Sequence, residues 1–224
     1  TIILGSYYGH NKIAVDTSYV INGLFNFTGK DSLKEGMYFL FVGEKQLFDI
    51  IITEQKFSFK TSINSPLESM IFINSKENTA FYKYQKFISS KQKQVSSLRE
   101  KQNTASEEEK EKIIAEMIII DSQVKEFQNN FEEEYSDIFF LKVIKSSNDP
   151  EIPEAPKELS EKEKKMFQFE YYKEHFWDNI DFTDERMLKT PFFFSKIDTY
   201  LNKLTVQHPD SISKSADVIV ILSR

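Results

Sequence analysis

The stretch Met70-Ile71-Phe72-Ile73-Asn74-Ser75-Lys76-Glu77-Asn78-Thr79-Ala80-Phe81 is where the chain changes grammar. A short run of strand-type residues ends at Asn74, and Asn74 with Glu77 has the spacing of a helix N-cap and its capping-box partner. The first helix is expected to start there. Phe81, Tyr84, Ile88, Val95 and Leu98 then recur at intervals of 3, 4, 7 and 3, one stripe of a long helix that Lys91 interrupts. After Asn103-Thr104-Ala105, Ser106 and Glu109 repeat the capping pattern. Ile113, Met117, Ile120, Val124, Phe127 and Phe131 follow at intervals of 4, 3, 4, 3 and 4. Two long helices joined by a short turn predict an antiparallel hairpin.

Upstream the period is shorter. Runs at 2–8, 12–16, 24–28, 37–42, 46–52 and 57–61, with a further one at 70–73, are separated by turn residues, among them the tight-turn dipeptide Asn22-Gly23. All six glycines lie between Gly5 and Gly43. The expectation is an antiparallel β domain over 1–74, closing as a sandwich or partial barrel of seven or eight strands. A helical domain over 75–224 completes an α+β chain. In that part, 136–146 reads as a buried helix, and Pro150, Pro153 and Pro156 force an extended loop. Ser160 with Glu163 caps a helix to about Trp177, and Thr183 or Asp184 opens another. Pro191 marks a break or a start, and a last helix begins at Ser211 near Pro209. Its apolar end, Val218-Ile219-Val220-Ile221-Leu222, is of a kind normally covered, so the chain is expected to continue past Arg224.

The totals remove several functions. With 29 basic and 35 acidic side chains the net charge is −6, which offers no footprint for nucleic acid. Zero cysteines exclude disulfides, thiolate metal sites and cysteine nucleophiles. No apolar run has the length of a membrane span. No G-x-S-x-G elbow, phosphate loop or dinucleotide fingerprint is present, and Gly29-Lys30-Asp31-Ser32 lacks the first glycine of a P-loop. His175 shares a helical face only with Asp178, too few ligands for zinc. His10 and His208 have no partner close in sequence. Glu132-Glu133-Glu134 point to different sides of a helix and read as a solvated face. The expectation is therefore no catalytic residue, no cofactor and no metal. The remaining anomaly is 21 phenylalanines and 10 tyrosines. Phe192, Phe193 and Phe194 cannot all face inward from one helix, so these three and Trp177 are the candidate interaction surface.

Tyr171-Tyr172-Lys173-Glu174-His175-Phe176-Trp177-Asp178-Asn179-Ile180-Asp181-Phe182, followed by Asp184, Arg186, Leu188 and Thr190-Pro191, carries a family likeness. It continues in 200–204 and in Gln207-His208-Pro209-Asp210-Ser211-Ile212. This helical half resembles the accessory regions that precede the thioredoxin-like domain of TlpA/ResA-type thiol:disulfide oxidoreductases of the bacterial envelope. Asp16, Gly23-Leu24-Phe25-Asn26-Phe27 and Gly29 are similar to the small β domain at the start of such proteins. The resemblance implies a periplasmic location after export by a signal or lipoprotein leader, with a lipid anchor on the parent. It further implies a downstream thioredoxin-like domain bearing Cys-x-x-Cys as partner, and a protein substrate. No family catalytic residue maps onto this chain. The expected function is a non-catalytic region that positions that domain or its substrate; the alternative is a stand-alone envelope protein that binds peptide or glycan.

Overall fold

Alternating apolar residues build the first strands. The computed structural model describes residues 1–223, in which β1 (Ile2–Tyr8), β2 (Asn11–Ser18), β3 (Gly36–Val42) and β4 (Lys45–Ile52) form one antiparallel sheet of order β2-β1-β3-β4. β5 (Ser58–Lys60) and β6 (Ile71–Ile73) form a two-stranded sheet. Seven helices complete the α+β chain: α1 (Pro66–Ser69), α2 (Lys76–Gln102), α3 (Glu107–Glu134), α4 (Phe139–Ser147), α5 (Glu161–Glu174), α6 (Pro191–Asn202) and α7 (Pro209–Leu222). A 3₁₀ turn occupies Glu185–Lys189. None of the described helices is long and apolar enough to cross a membrane.

Two expected features differ. Six strands form among the described residues, not seven or eight, because 24–28 makes no strand. The turn at Asn22-Gly23 is there, with φ of 52° and 78°, but Ile21 and Leu24 exchange only their own pair of hydrogen bonds, at 2.9 and 3.0 Å. β3 pairs with β1 instead, and the Asn26 amide donates to the Ser18 side chain at 3.2 Å rather than to a strand carbonyl. The helix start is also one residue later than expected. Ser75, not Asn74, is the N-cap, its Oγ accepting from the Asn78 amide at 3.2 Å, while Asn74 adopts a left-handed φ of 60°. The boxes at Ser106/Glu109 and Ser160/Glu163 are formed as spaced.

By compactness the chain divides into one unit of residues 1–53 with 142–224 and another of 54–141, the division falling within α4. In the first unit, Ile2, Leu4, Tyr38, Leu40 and Ile50 are buried, and the 3₁₀ turn lies against β1 and β3. Their alternation along paired strands places these five on one face of the sheet. In the second unit, α2 and α3 form the expected hairpin, each about 40 Å long at 1.5 Å per residue. Its base is aromatic: Phe87 stacks on Phe127 at 3.8 Å, and Phe81 meets Phe140 edge-on at 4.7 Å. Toward the tip the packing is aliphatic, through Leu98, Ile113 and Ile120.

Candidate interaction surface

In the first unit, polar side chains from β1, β2 and β4 meet beside two rings of β3, the buried Phe39 and the half-buried Phe41. Tyr7 Oη donates to Asp49 Oδ1 at 2.7 Å, and Gln46 Nε2 donates to both groups, at 3.0 and 2.8 Å. Lys12 Nζ donates to Gln46 Oε1 at 2.6 Å and stands 5.6 Å from the ring centres of Phe39 and Phe41 on β3. Side chains of the two edge strands, β2 and β4, thus touch, which requires a curled sheet. Burial pushes the Asp49 carboxyl up against the pull of these donors, and burial followed by the bond to Asp49 pushes the Tyr7 hydroxyl up. A phenol whose proton is held this firmly is a poor nucleophile. The network fastens β1, β2 and β4 together.

A second polar cluster surrounds the 3₁₀ turn. Asp184 accepts from Arg186 Nε at 2.8 Å and Nη2 at 2.6 Å, a two-pronged contact, and from Lys142 Nζ at 2.8 Å. Lys142 also reaches Asp181 at 2.8 Å, and Arg186 Nη1 reaches Glu35 at 3.1 Å. The Arg186 guanidinium, aided by Lys142, holds the Asp184 carboxyl well below the usual carboxylate range. Charges so paired anchor the turn that the family likeness singled out at Asp184 and Arg186. Among the described residues no group of three His, Cys, Asp or Glu side chains could hold a metal ion.

The four rings named from sequence separate. Phe193 and Trp177 are buried, the first beside Phe182 and the second between Phe182 and Tyr200, with centroids 5.0 to 5.8 Å apart. Thr190 sets this by capping α6, its Oγ1 accepting the Phe193 amide at 3.3 Å. Successive helical residues turn by about 100°, so with Phe193 inward Phe192 is exposed, and Phe194 flanks the β1–β2 turn at His10, 6.4 Å away. His10 pairs with Asp198 at 2.7 Å and His175 with Asp178 at 2.6 Å. The Trp177 indole N–H is buried with no hydrogen-bond partner among the described residues. Two of the four therefore belong to the core and offer no surface.

Exposed apolar area lies elsewhere. In α7 the single buried residue is Ser215, whose Oγ bonds Thr205 Oγ1 at 2.8 Å. Val218, Val220, Ile221 and Leu222 are exposed, Ile221 at 66%. A second group follows edge strand β2: Ile13 and Val15 on the strand, then Tyr19, Ile21 and Leu24. The extra residue Val15 in the β1–β2 register forms a bulge, a feature that discourages further strand pairing. The α7 group was legible as an over-apolar helix end. The Tyr19–Leu24 group was not, because Tyr19 and Ile21 fall between the expected strands 12–16 and 24–28, and Leu24 reads as the start of the second.

A family model described as a domain of unknown function, DUF5106, matches residues 97–222, the tip of α2 through α7. No curated protein and no solved structure matches the chain.

Proposed function

The chain belongs to the DUF5106 family of unknown function, and from that premise we propose that it is a non-catalytic accessory region of a thiol:disulfide oxidoreductase of the bacterial envelope. It holds a thioredoxin-like domain, or that domain's protein substrate, against the last two turns of α7. One observation carries the reading: four aliphatic side chains, Val218, Val220, Ile221 and Leu222, stand exposed together at one helix end. Apolar area left in water forgoes about 25 cal/mol per Å², and clustered area of this kind is characteristic of contact surfaces. The residues that resemble oxidoreductase accessory regions, up to Ile212, run directly into this helix. With no cysteine in the chain, thiol–disulfide exchange takes place on the partner domain.

Amide hydrogen exchange on the complete gene product, set against this chain alone, tests the reading. Expected are a Cys-x-x-Cys domain in the gene product, roughly tenfold or slower exchange at 216–222 in its presence, and no disulfide reduction by the chain alone. A gene product without such a domain, unchanged exchange, or turnover by the isolated chain overturns it. The exposed Tyr19, Ile21 and Leu24 favour a second reading, a stand-alone envelope protein that binds peptide or glycan beside β2. Ligand protection at 19–24 with none at 216–222 is its signature.

A further inference from the structure

We propose that the α2–α3 hairpin pairs with the hairpin of a second copy of this chain, the basic helix of each lying against the acidic helix of the other. Two features of the hairpin lead there, and neither depends on the reading of α7.

The first is uncovered apolar surface in the middle of α3. Residues 113–120 are apolar on every side except at Glu116. Ile113 and Ile120 are buried with Leu98 of α2, and Val95 and Met117 pack against them. A two-helix contact covers one stripe only. Ile114 and Ile118, four residues apart, lie roughly 120° around the helix from that stripe, and are 47% and 62% exposed. A helix apolar on more than one side is normally covered on more than one side.

The second feature identifies the cover. α2 carries seven basic and two acidic side chains, whereas α3 carries three basic and ten acidic ones. Contacts within the hairpin do not use this asymmetry up. The three lysines of α3 pair within their own helix, Lys110 with Glu107 at 2.6 Å, Lys112 with Glu108 at 2.8 Å and Lys125 with Asp121 at 3.0 Å. Lys83 of α2 reaches Glu134 of α3. Among the described residues, Arg99 and Lys101 on α2, and Glu111, Glu116, Glu126 and Glu133 on α3, have no ion pair. An acidic partner would be repelled by α3 and a basic one by α2. A second copy related by a two-fold axis sets α2 against α3 twice over, and each contact is attractive.

Sedimentation equilibrium on the full 224-residue chain tests this with three variants. Wild type is expected to form a dimer at tens of micromolar, weakened by added salt. Ile118→Lys, at an exposed position that leaves folding intact by circular dichroism, is expected to weaken it roughly hundredfold. An α2 variant, Arg99→Glu with Lys101→Glu, and an α3 variant, Glu111→Lys with Glu116→Lys, are each expected to associate roughly tenfold more weakly alone. Mixed together they recover dimer, since each then meets a helix of opposite charge. A wild-type monomer across this range overturns the proposal. So does a dimer insensitive to Ile118→Lys, or a mixture that associates no better than its components.

Discussion

The carboxylate of Glu77 on α2 accepts the backbone amide of Phe140 at 2.5 Å and that of Phe139 at 3.1 Å. Glu77 is itself buried and lies 63 positions before Phe140. The first amides of α4 have no partner within their own helix, so a distant side chain supplies it, and the helix dipole favours a negative charge there. Glu77→Ala is expected to lower stability by about 3 kcal/mol, because two buried amides lose their acceptor. Glu77→Gln keeps one oxygen and is expected to lose about half as much. Urea unfolding of the three proteins measures the difference, and an unchanged midpoint in Glu77→Ala would sink the assignment.

That contact shows what a sequence can and cannot reveal. Glu77 was singled out for its spacing from Asn74, a local relation, and its actual service is to a helix start beyond the hairpin. At the cap itself Ser75 Oγ donates to Glu54 Oε2 at 2.9 Å, and Glu54 Oε1 accepts the Lys76 amide at 2.9 Å. Periodicity and capping spacing are local, which is why the hairpin and the boxes at Ser106 and Ser160 could be read directly. Strand pairing is not local. Residues 24–28 have strand composition yet join no strand ladder among the described residues, and the three consecutive phenylalanines could be counted but not assigned to core or surface before α6 was oriented by Thr190. The network of Tyr7, Lys12, Gln46 and Asp49 gave no signal, since its members come from three strands.

Phe39 lies over Gly5, the residue directly paired with it on β1. A methyl group on Gly5 would stand 1.9 Å from Cε2 of that ring. The ring cannot swing away freely, because Phe39 is buried and meets Tyr7 edge-on at 4.8 Å. Gly5→Ala is therefore expected to cost about 2–4 kcal/mol through overpacking. Gly5→Ala combined with Phe39→Leu should recover part of it. Thermal unfolding of the single and double variants decides the matter; equal losses in both would show that the ring is not the obstacle.

Asp49 should be tolerant of one change and not of another. Burial raises its carboxyl above the ordinary range, so the folded state binds the proton more tightly than the unfolded chain, whose carboxylate titrates near about 3.9. Its contribution to stability is full below that value and is lost as pH rises through the raised folded value. Asp49→Asn removes the charge and keeps an oxygen for Tyr7, so it should remain within about 1 kcal/mol of wild type at pH 7. The variant should gain on wild type between pH 4 and pH 7. Asp49→Ala leaves Tyr7 and Gln46 without that acceptor and should cost about 2 kcal/mol. A loss in Asp49→Asn that matches the alanine variant at pH 7 would contradict the charge argument.

Asp184 has the opposite sign. Its carboxyl is held low first by the Arg186 guanidinium and then, against the opposing effect of burial, by Lys142. The unfolded chain therefore binds the proton more tightly than the folded one. The stability from this group is present in full above the unfolded value, near about 3.9, and is lost as pH falls below it toward the folded value. The side chain is only 7% exposed, so solvent screens the pairs little. Asp184→Asn is expected to cost about 2–4 kcal/mol at pH 7, because two cations lose their shared anion in a partly dry site. As the pH is lowered to about 2, wild type should lose stability faster than the variant and the gap between them should narrow. Arg186→Lys, which keeps the charge but not the two-pronged contact, should fall between them at neutral pH. Urea midpoints of the three proteins across this range provide the test, and a gap between wild type and Asp184→Asn that stays constant with pH would rule out the proton linkage.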